Sequence, residues 1–367
     1  MQTGNLNKLK YIDEFRDKKL VQELSREIKK ISSKKISIME VCGGHTMAIH
    51  KFGIPSLLPE NIELLSGPGC PVCVTSNKFI DSAIALSRKD DIIITTYGDL
   101  IRVPGSSSSL DREKAKGADI RIVYSTMEAL EITKKNKNKK VVFLGIGFET
   151  TAPSSAIAIL EASKHKINNF YLFSSHKIMP PAMAALIDEG IKINGYIGPG
   201  HVTTVAGAKM YTDLANKYKL SIVVSGFEPV DIMQSIYFLV RQIENNQPSV
   251  EIQYKRVVTQ EGNIKAQQIM NEVFEPRDDW WRGLGVLKNS GLGIRKKYEL
   301  FDAEKQIDVD VEKTREPKGC ICGEILKGLK KPDDCKLFRN VCTPSNPVGT
   351  CMVSNEGACQ AYFDFSF

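Results

Sequence analysis

Long apolar runs are missing from this sequence, and the longest stretches, such as the one around Ile92–Ile94, are far too short to cross a bilayer. The N-terminus (MQTGNLNKLKYIDEF) carries no apolar stretch of the kind a secretory signal needs, so the cytoplasm is the expected location. Aromatic residues are absent from the basic runs Lys29–Lys35 and Lys134–Lys140 (KKNKNKK), which leaves no platform for stacking bases. The net charge of +7, from 50 basic and 43 acidic residues, therefore reads as solvated surface and not as a nucleic-acid footprint. No Gly-Lys pair exists to build a Walker A loop, and the single Cys-x-x-Cys has no second copy to complete a four-sulfur zinc site. Cysteine itself is missing between Cys73 and Cys320.

What is present is ordinary globular composition, 42% apolar and 25% charged over 367 residues, enough for two or three compact domains. Leu9, Ile12, Phe15, Leu20, Leu24 and Ile28 recur at helical period, so residues 1–35 are assigned a leading helix. From Ile36 short apolar strands alternate with helices. The strands are placed at Ile36–Val41, Ile62–Leu65, Asp91–Thr95, Val141–Leu144, Asn169–Phe173, Gly195–Ile197 and Ser221–Val224, with helices at Lys78–Ser87, Ser154–Ser163 and Pro180–Gly190. The expected fold is α/β with parallel sheets. The turns echo one another: Ser66 to Cys70 (SGPGC) with Ile197 to His201 (IGPGH), and Gly147-Phe148-Glu149 with Gly226-Phe227-Glu228. This suggests two similar α/β units, residues 36–130 and 131–225. A third region, 226–367, opens with a helix over Ile232–Ile243, continues irregularly past Trp280 and Trp281, and ends in a Cys-rich tail without periodicity.

Nine cysteines in a reducing compartment point to metal or redox chemistry before structural disulfides. Cys42-Gly43-Gly44-His45-Thr46 follows a strand, and two glycines after a cysteine leave the thiol open. Gly67 to Cys73 (GPGCPVC) also follows a strand and precedes a helix, where the backbone dipole lowers a thiol's pKa, so redox or iron chemistry is favoured there over zinc. Six cysteines fill the last 48 residues. Cys320, Cys335, Cys342 and Cys359 supply four widely spaced thiolates, with Cys322 and Cys351 as spares; the spacing fits an iron–sulfur cluster best, with zinc or redox disulfides as alternatives. Gly145 to Thr151 resembles a nucleotide loop but lacks its third glycine. His201, Glu228 and His176 sit at strand ends and could orient a ligand or be structural; His50 and His165 carry no signal.

Taken in order, CGGHT at Cys42, GPGCPVC at Gly67, GFETT at Gly147, SGFEP at Ser225 and the tail Cys342-Thr343-Pro344 to Cys359 resemble the HypD family of nickel–iron hydrogenase maturation proteins. The resemblance runs from about residue 36 to the C-terminus. It implies two α/β domains and a third carrying a 4Fe–4S cluster. It also implies a scaffold on which the hydrogenase Fe(CN)2CO group is built, in company with the chaperone HypC, with cyanide from HypE and HypF, for later transfer to the hydrogenase large subunit. Carried over residue by residue, Cys42 would hold the iron, and Cys70 and Cys73 would be the redox pair. Cys320, Cys335, Cys342 and Cys359 would hold the cluster. His45, Thr46, His201 and Glu356 are then candidates to hold cyanide nitrogens or move protons. A cluster-dependent protein thiol–disulfide reductase is the alternative function, and a zinc-stabilised binding module a third.

Overall fold

The computed structural model describes Lys10 and residues 12–366. Among these residues eleven strands form three sheets: β1 (Ile36–Glu40), β2 (Ile62–Ser66), β3 (Ile92–Thr96), β4 (Ile120–Ile122), β5 (Lys140–Gly147), β6 (Phe170–His176), β7 (Gly195–Pro199), β8 (Ser221–Ser225), β9 (Val250–Ile252), β10 (Phe274–Trp281) and β11 (Gly285–Ile294). The first sheet has the order β2-β1-β7-β8-β9 and the second β4-β3-β5-β6, both parallel throughout. All seven strands read from the sequence are present. β3 (Ile-Ile-Ile-Thr-Thr) is buried along its whole length, as β-branched residues are when helices cover both faces of a parallel sheet.

Strand pairing departs from the expected segmentation. β1 and β2 pair with β7 and β8, and the second sheet is inserted between β2 and β7. A boundary at residue 130 would part β3 from its partner β5, and the two GPG turns close strands of one and the same sheet. The echoes between turns therefore do not mark two successive units. Nor does the third region begin at 226, because β9 extends the first sheet beyond β8.

The leading helix runs Lys18–Ile31, capped by Asp17, whose carboxylate accepts from the Lys19 and Leu20 amides at 2.8 and 3.3 Å. Its buried Val21 and Ile28 pack against the helix Pro229–Glu244. Leu9 lies outside the described residues. The region around Trp280 and Trp281 is not irregular: β10 and β11 form an antiparallel hairpin with a bulge between Arg277 and Asp279, and it packs against β6 and the helix Met179–Asp188. The Cys-rich tail closes back on the first sheet, its last helix Ala358–Phe365 lying against the helix Gly43–Lys51. No helix among the described residues is long and apolar enough to cross a membrane.

Candidate functional site

β1 ends in an acid. Glu40 is 2% exposed, and its carboxylate spans the turn that follows, accepting from the Cys42 amide at 3.0 Å and from the Thr46 hydroxyl at 2.5 Å. Burial pushes Glu40 up to about 8, against the pull of Thr46. Cys42 sits at the N-cap of the helix Gly43–Lys51, half-buried, and its carbonyl accepts from the His45 amide at 2.8 Å. Burial, with the Glu356 carboxylate second, drives the Cys42 thiol up; the Gly44 and His45 amides aimed at the sulfur oppose that shift. The resting group is a thiol, which has to give up its proton to ligate a metal.

The glycines explain the closeness of the loops around it. A Cβ on Gly43 would fall 2.3 Å from Glu356 Cβ, and one on Gly69 would fall 2.1 Å from the Cys42 nitrogen. The Cys70 loop and the tail therefore touch the Cys42 turn through bare backbone, which no other residue permits. Phe227 lies over Gly44 and stacks with both His45 (4.4 Å) and His201 (4.0 Å). His45 is buried, donates from Nε2 to the Gly226 carbonyl at 2.9 Å, and is driven down to about 4 by desolvation, so it is neutral. Thr46 and that face of His45 are thus engaged with protein, while His201 and Glu356 stand exposed at the rim. Glu228, on the turn analogous to His201, is held by Arg16 at 2.5 and 2.7 Å and caps the following helix; His176 is buried on Ser155 at 2.8 Å.

Cys70 caps the short helix Pro71–Val74, its sulfur accepting from the Cys73 amide at 3.2 Å. Both thiols are shut from solvent, at 3% and 0% exposure. Burial and the neighbouring sulfurs raise Cys73 well above a normal thiol. The expected acidity does not hold for Cys73, because a four-residue helix offers little dipole and desolvation wins.

Beyond Cys73 the sulfurs continue. Cys351, fully buried, is within hydrogen-bonding reach of Cys322, Cys359 and Cys73. Cys322 in turn contacts Cys320. Cys320, Cys322, Cys335, Cys342 and Cys359 line one small cavity with Leu337, Phe338 and Met352, and the Val348 amide donates to Cys342 Sγ at 3.4 Å. A Cβ on Gly349 would lie 2.5 and 2.6 Å from the Cys320 and Cys322 sulfurs, so glycine keeps that space open. Among the described residues no three His, Cys, Asp or Glu converge as ligands of a single ion do. A sulfur-only donor set, an apolar collar and an amide aimed at sulfur fit a thiolate-held iron–sulfur cluster.

The GFETT motif buries its acid. Glu149, 5% exposed beyond the end of β5, accepts from the Met179 amide at 3.1 Å, and its second oxygen has no partner among the described residues. Burial pushes it up to about 7. In the unfolded chain it ionises near 4.5, so the cost of burying it grows as pH rises from 4.5 to 7 and is complete above. Glu149→Gln removes that cost while keeping an acceptor for Met179. At ~1.4 kcal/mol per pKa unit, it should stabilise the fold by about 3–4 kcal/mol at pH 8 and hardly at all at pH 4. Denaturant melts at the two pH values check this; equal gains at both would contradict it.

The family model described as "HypD: Hydrogenase formation hypA family" matches residues 18–366. The chain belongs to the HypD family of hydrogenase maturation factors. It is 45% identical to maturation factor HypD2 of Bradyrhizobium diazoefficiens and 45% to HypD of Cupriavidus necator, over 97% of this chain and 97% of each relative. HypD of Azotobacter vinelandii is 44% identical over the same shares. In this HypD-family chain the sequence reading passed over four residues that the structure ties to the site. Glu40 and Phe227 frame Cys42. Arg282 donates to the carbonyls of Cys73 and Thr75 at 3.0 and 2.9 Å, fixing the Cys70 loop against the β10–β11 hairpin. Cys351, set aside as a spare, stands between Cys73 and the tail cavity.

Proposed function

We propose that this protein assembles the Fe(CN)2CO group of nickel–iron hydrogenases on an iron held by Cys42, together with a thiol from a HypC-type chaperone. Cyanide would come from HypE, charged upstream by HypF, and the finished group would pass towards the hydrogenase large subunit. The observation that carries this reading is the closeness of the cysteine-bearing segments. The Cys42 turn touches the Cys70 loop at Gly69, Cys73 reaches Cys351, and Cys351 reaches the tail cavity. On this reading the cargo site, the redox pair and the cofactor site would follow one another.

Each residue has a separate task. Cys42 offers a soft donor suited to low-valent iron, and the Gly44 and His45 amides favour its deprotonated form. Glu40 holds the turn at both ends. His201 and Glu356, exposed at the rim, are placed to meet cyanide nitrogens or exchange protons with solvent. Cys70 and Cys73 hold two electrons as a dithiol or release them as a disulfide. Cys320, Cys335, Cys342 and Cys359 would hold the 4Fe–4S cluster, which supplies single electrons when bound.

Burial of the pair speaks against the reductase alternative, since an enzyme acting on protein disulfides has to present its attacking sulfur. Colour separates the zinc module: anaerobically purified protein should be brown, and a colourless, zinc-loaded protein would refute the cofactor assignment. Cys351→Ala tests this succession itself. The cluster absorption should survive, because Cys351 is outside the proposed ligand set. Reduction of a Cys70–Cys73 disulfide by the reduced protein, followed by mass mapping of trapped thiols, should be lost. Unchanged reduction in that variant would remove Cys351 from the route.

A further inference from the structure

Four neighbouring strands of the first sheet end on the same side, and each leads into the surroundings of Cys42. β1 runs into Cys42, β7 into His201, β8 into Phe227, and β9 into Gln253-Tyr254-Lys255-Arg256. The Phe227 ring has His45 against it at 4.4 Å and His201 at 4.0 Å. A Cβ on Gly44 would lie 3.1 Å from Phe227 Cε1 and 3.8 Å from Cys42 Sγ, so ring and sulfur flank the same backbone. Tyr254 meets Phe227 edge-on at 6.1 Å and presses on the turns beside it. A Cβ on Gly226 would fall 2.9 Å from the Tyr254 ring, and one on Gly200 2.8 Å. Behind Tyr254 stands Arg256, its guanidinium 4.4 Å from that ring and 3.8 Å from the Phe15 ring. The same guanidinium donates through both terminal nitrogens to Asp231, at 2.8 and 2.5 Å. Asp231 is fully buried and also accepts from the Glu228 amide at 3.2 Å and from Gln253 Nε2 at 2.9 Å. Gln253 Oε1 in turn accepts from the Gly226 amide at 3.1 Å. The turn is therefore fastened at the residue before Phe227 and at the residue after it.

We propose that Arg256 is a positioning residue for the Cys42 site: through Asp231 and Tyr254 it holds the Phe227 ring, and with it His201, beside the iron-binding thiol. The inference rests on the assembly reading above. Such a pair adds little to stability, because desolvation of both charges offsets most of their attraction. What it fixes is geometry. A guanidinium is planar and forked, so one group lies against Tyr254 and grips both oxygens of Asp231 at once, which an ammonium cannot do. His201 is exposed and its ring rests on Phe227, so its orientation at the rim follows from where Phe227 stands. Arg256 touches neither the thiol nor the rim; it acts through the turn.

Arg256→Lys tests the positioning, since it keeps a positive charge opposite Asp231 while giving up the fork and the plane. Thermal melts should stay close to those of the wild type. In protein carrying isotope-labelled histidine, the His201 ring protons, identified with His201→Gln, should lie upfield in the wild type because Phe227 stacks on them. In Arg256→Lys at least half of that upfield displacement should be lost. Hydrogenase maturation in a strain carrying the variant should fall by about tenfold or more, as misalignment at a reacting centre does. Phe227→Leu leaves the Arg256–Asp231 clamp alone and should lose both the upfield position and maturation. The double variant should mature as well as Phe227→Leu alone, because both changes act through one ring. Arg241→Lys, on the helix Pro229–Glu244 and paired with Glu251, should change neither readout. His201 signals unmoved by Arg256→Lys, full maturation despite moved signals, or losses that multiply in the double variant would each overturn the proposal. Full maturation by Cys42→Ala would instead refute the assembly reading, while the histidine signals, read on the protein alone, still decide whether Arg256 holds the ring.

Discussion

Cys42→Ala should leave a folded, brown protein that yields no mature nickel–iron hydrogenase. The side chain makes no cap hydrogen bond to its helix and is only half-buried, so the fold loses one sulfur's packing, about 1 kcal/mol. The turn is held instead by Glu40 through the Cys42 amide and the Thr46 hydroxyl, both of which the variant keeps. Tail cysteines are untouched, so colour remains. What disappears is the thiol at the rim beside His201, Phe227 and Glu356, and with it the soft donor that low-valent iron would need. Cys42→Ser should fail almost as completely, because a neutral hydroxyl is a hard and weak ligand at pH 7. Hydrogenase activity in a strain carrying each variant checks this. Maturation at the wild-type level by the Ala variant would place the iron elsewhere.

Gly69→Ala should be strongly destabilising. Its Cβ would lie 2.1 Å from the Cys42 nitrogen and 2.4 Å from the Cys42 Cα, both backbone atoms of a strand end that cannot rotate away. The two loops have to part, at a cost of about 2–4 kcal/mol for forced overpacking. Even where the protein folds, the redox pair is displaced from Cys42 and maturation should fall with it. Gly98→Ala provides the comparison, since the nearest atom to its Cβ would be Ile122 Cγ2 at 3.9 Å. That change should move stability by less than about 0.5 kcal/mol and leave maturation intact. Indistinguishable melts and equal maturation for the two variants would show that the contact of the loops is unimportant.

Much of this was legible in the sequence because strands buried on both faces announce themselves. Ile92 to Thr96 and Val141 to Leu144 could be little else. Their partners were not legible. Nothing in Ile36–Glu40 distinguishes β7 from β3 as a neighbour, since parallel pairing is set by crossover connections that join distant parts of the chain. The hairpin β10–β11 was hidden for a different reason. Its first strand, Phe-Glu-Pro-Arg-Asp-Asp-Trp-Trp, carries a proline and charges, and only Phe274 and Trp281 in it are buried. Its turn depends on Gly283 and Gly285 at φ +84° and +74°, which a run of glycines does not reveal.

The chemistry-bearing cysteines were visible as motifs, but their environment was not. A CxxC ahead of a helix suggests an acidic thiol, and only the packing around Cys73 shows that burial dominates. Cys351 looked surplus because ligand counting stops at four; its place between Cys73 and the tail is a property of the fold. A lone acid ending an apolar strand, Glu40, or an arginine after two tryptophans, Arg282, gives no local signal at all. Glu40 acts by closing its own turn through Cys42 and Thr46, and Arg282 by reaching carbonyls of a loop far away in sequence.

Infrared spectroscopy of the wild-type protein, purified anaerobically with its HypC-type partner from cells expressing the whole maturation set, tests the central claim most directly. Carbon monoxide and cyanide bound to iron absorb in a window where protein does not. The account expects cyanide and carbon monoxide stretches on the wild-type complex and none on the Cys42→Ala complex prepared in the same way. A wild-type complex without these bands, or a Cys42→Ala complex that retains them, would contradict assembly of the group on Cys42.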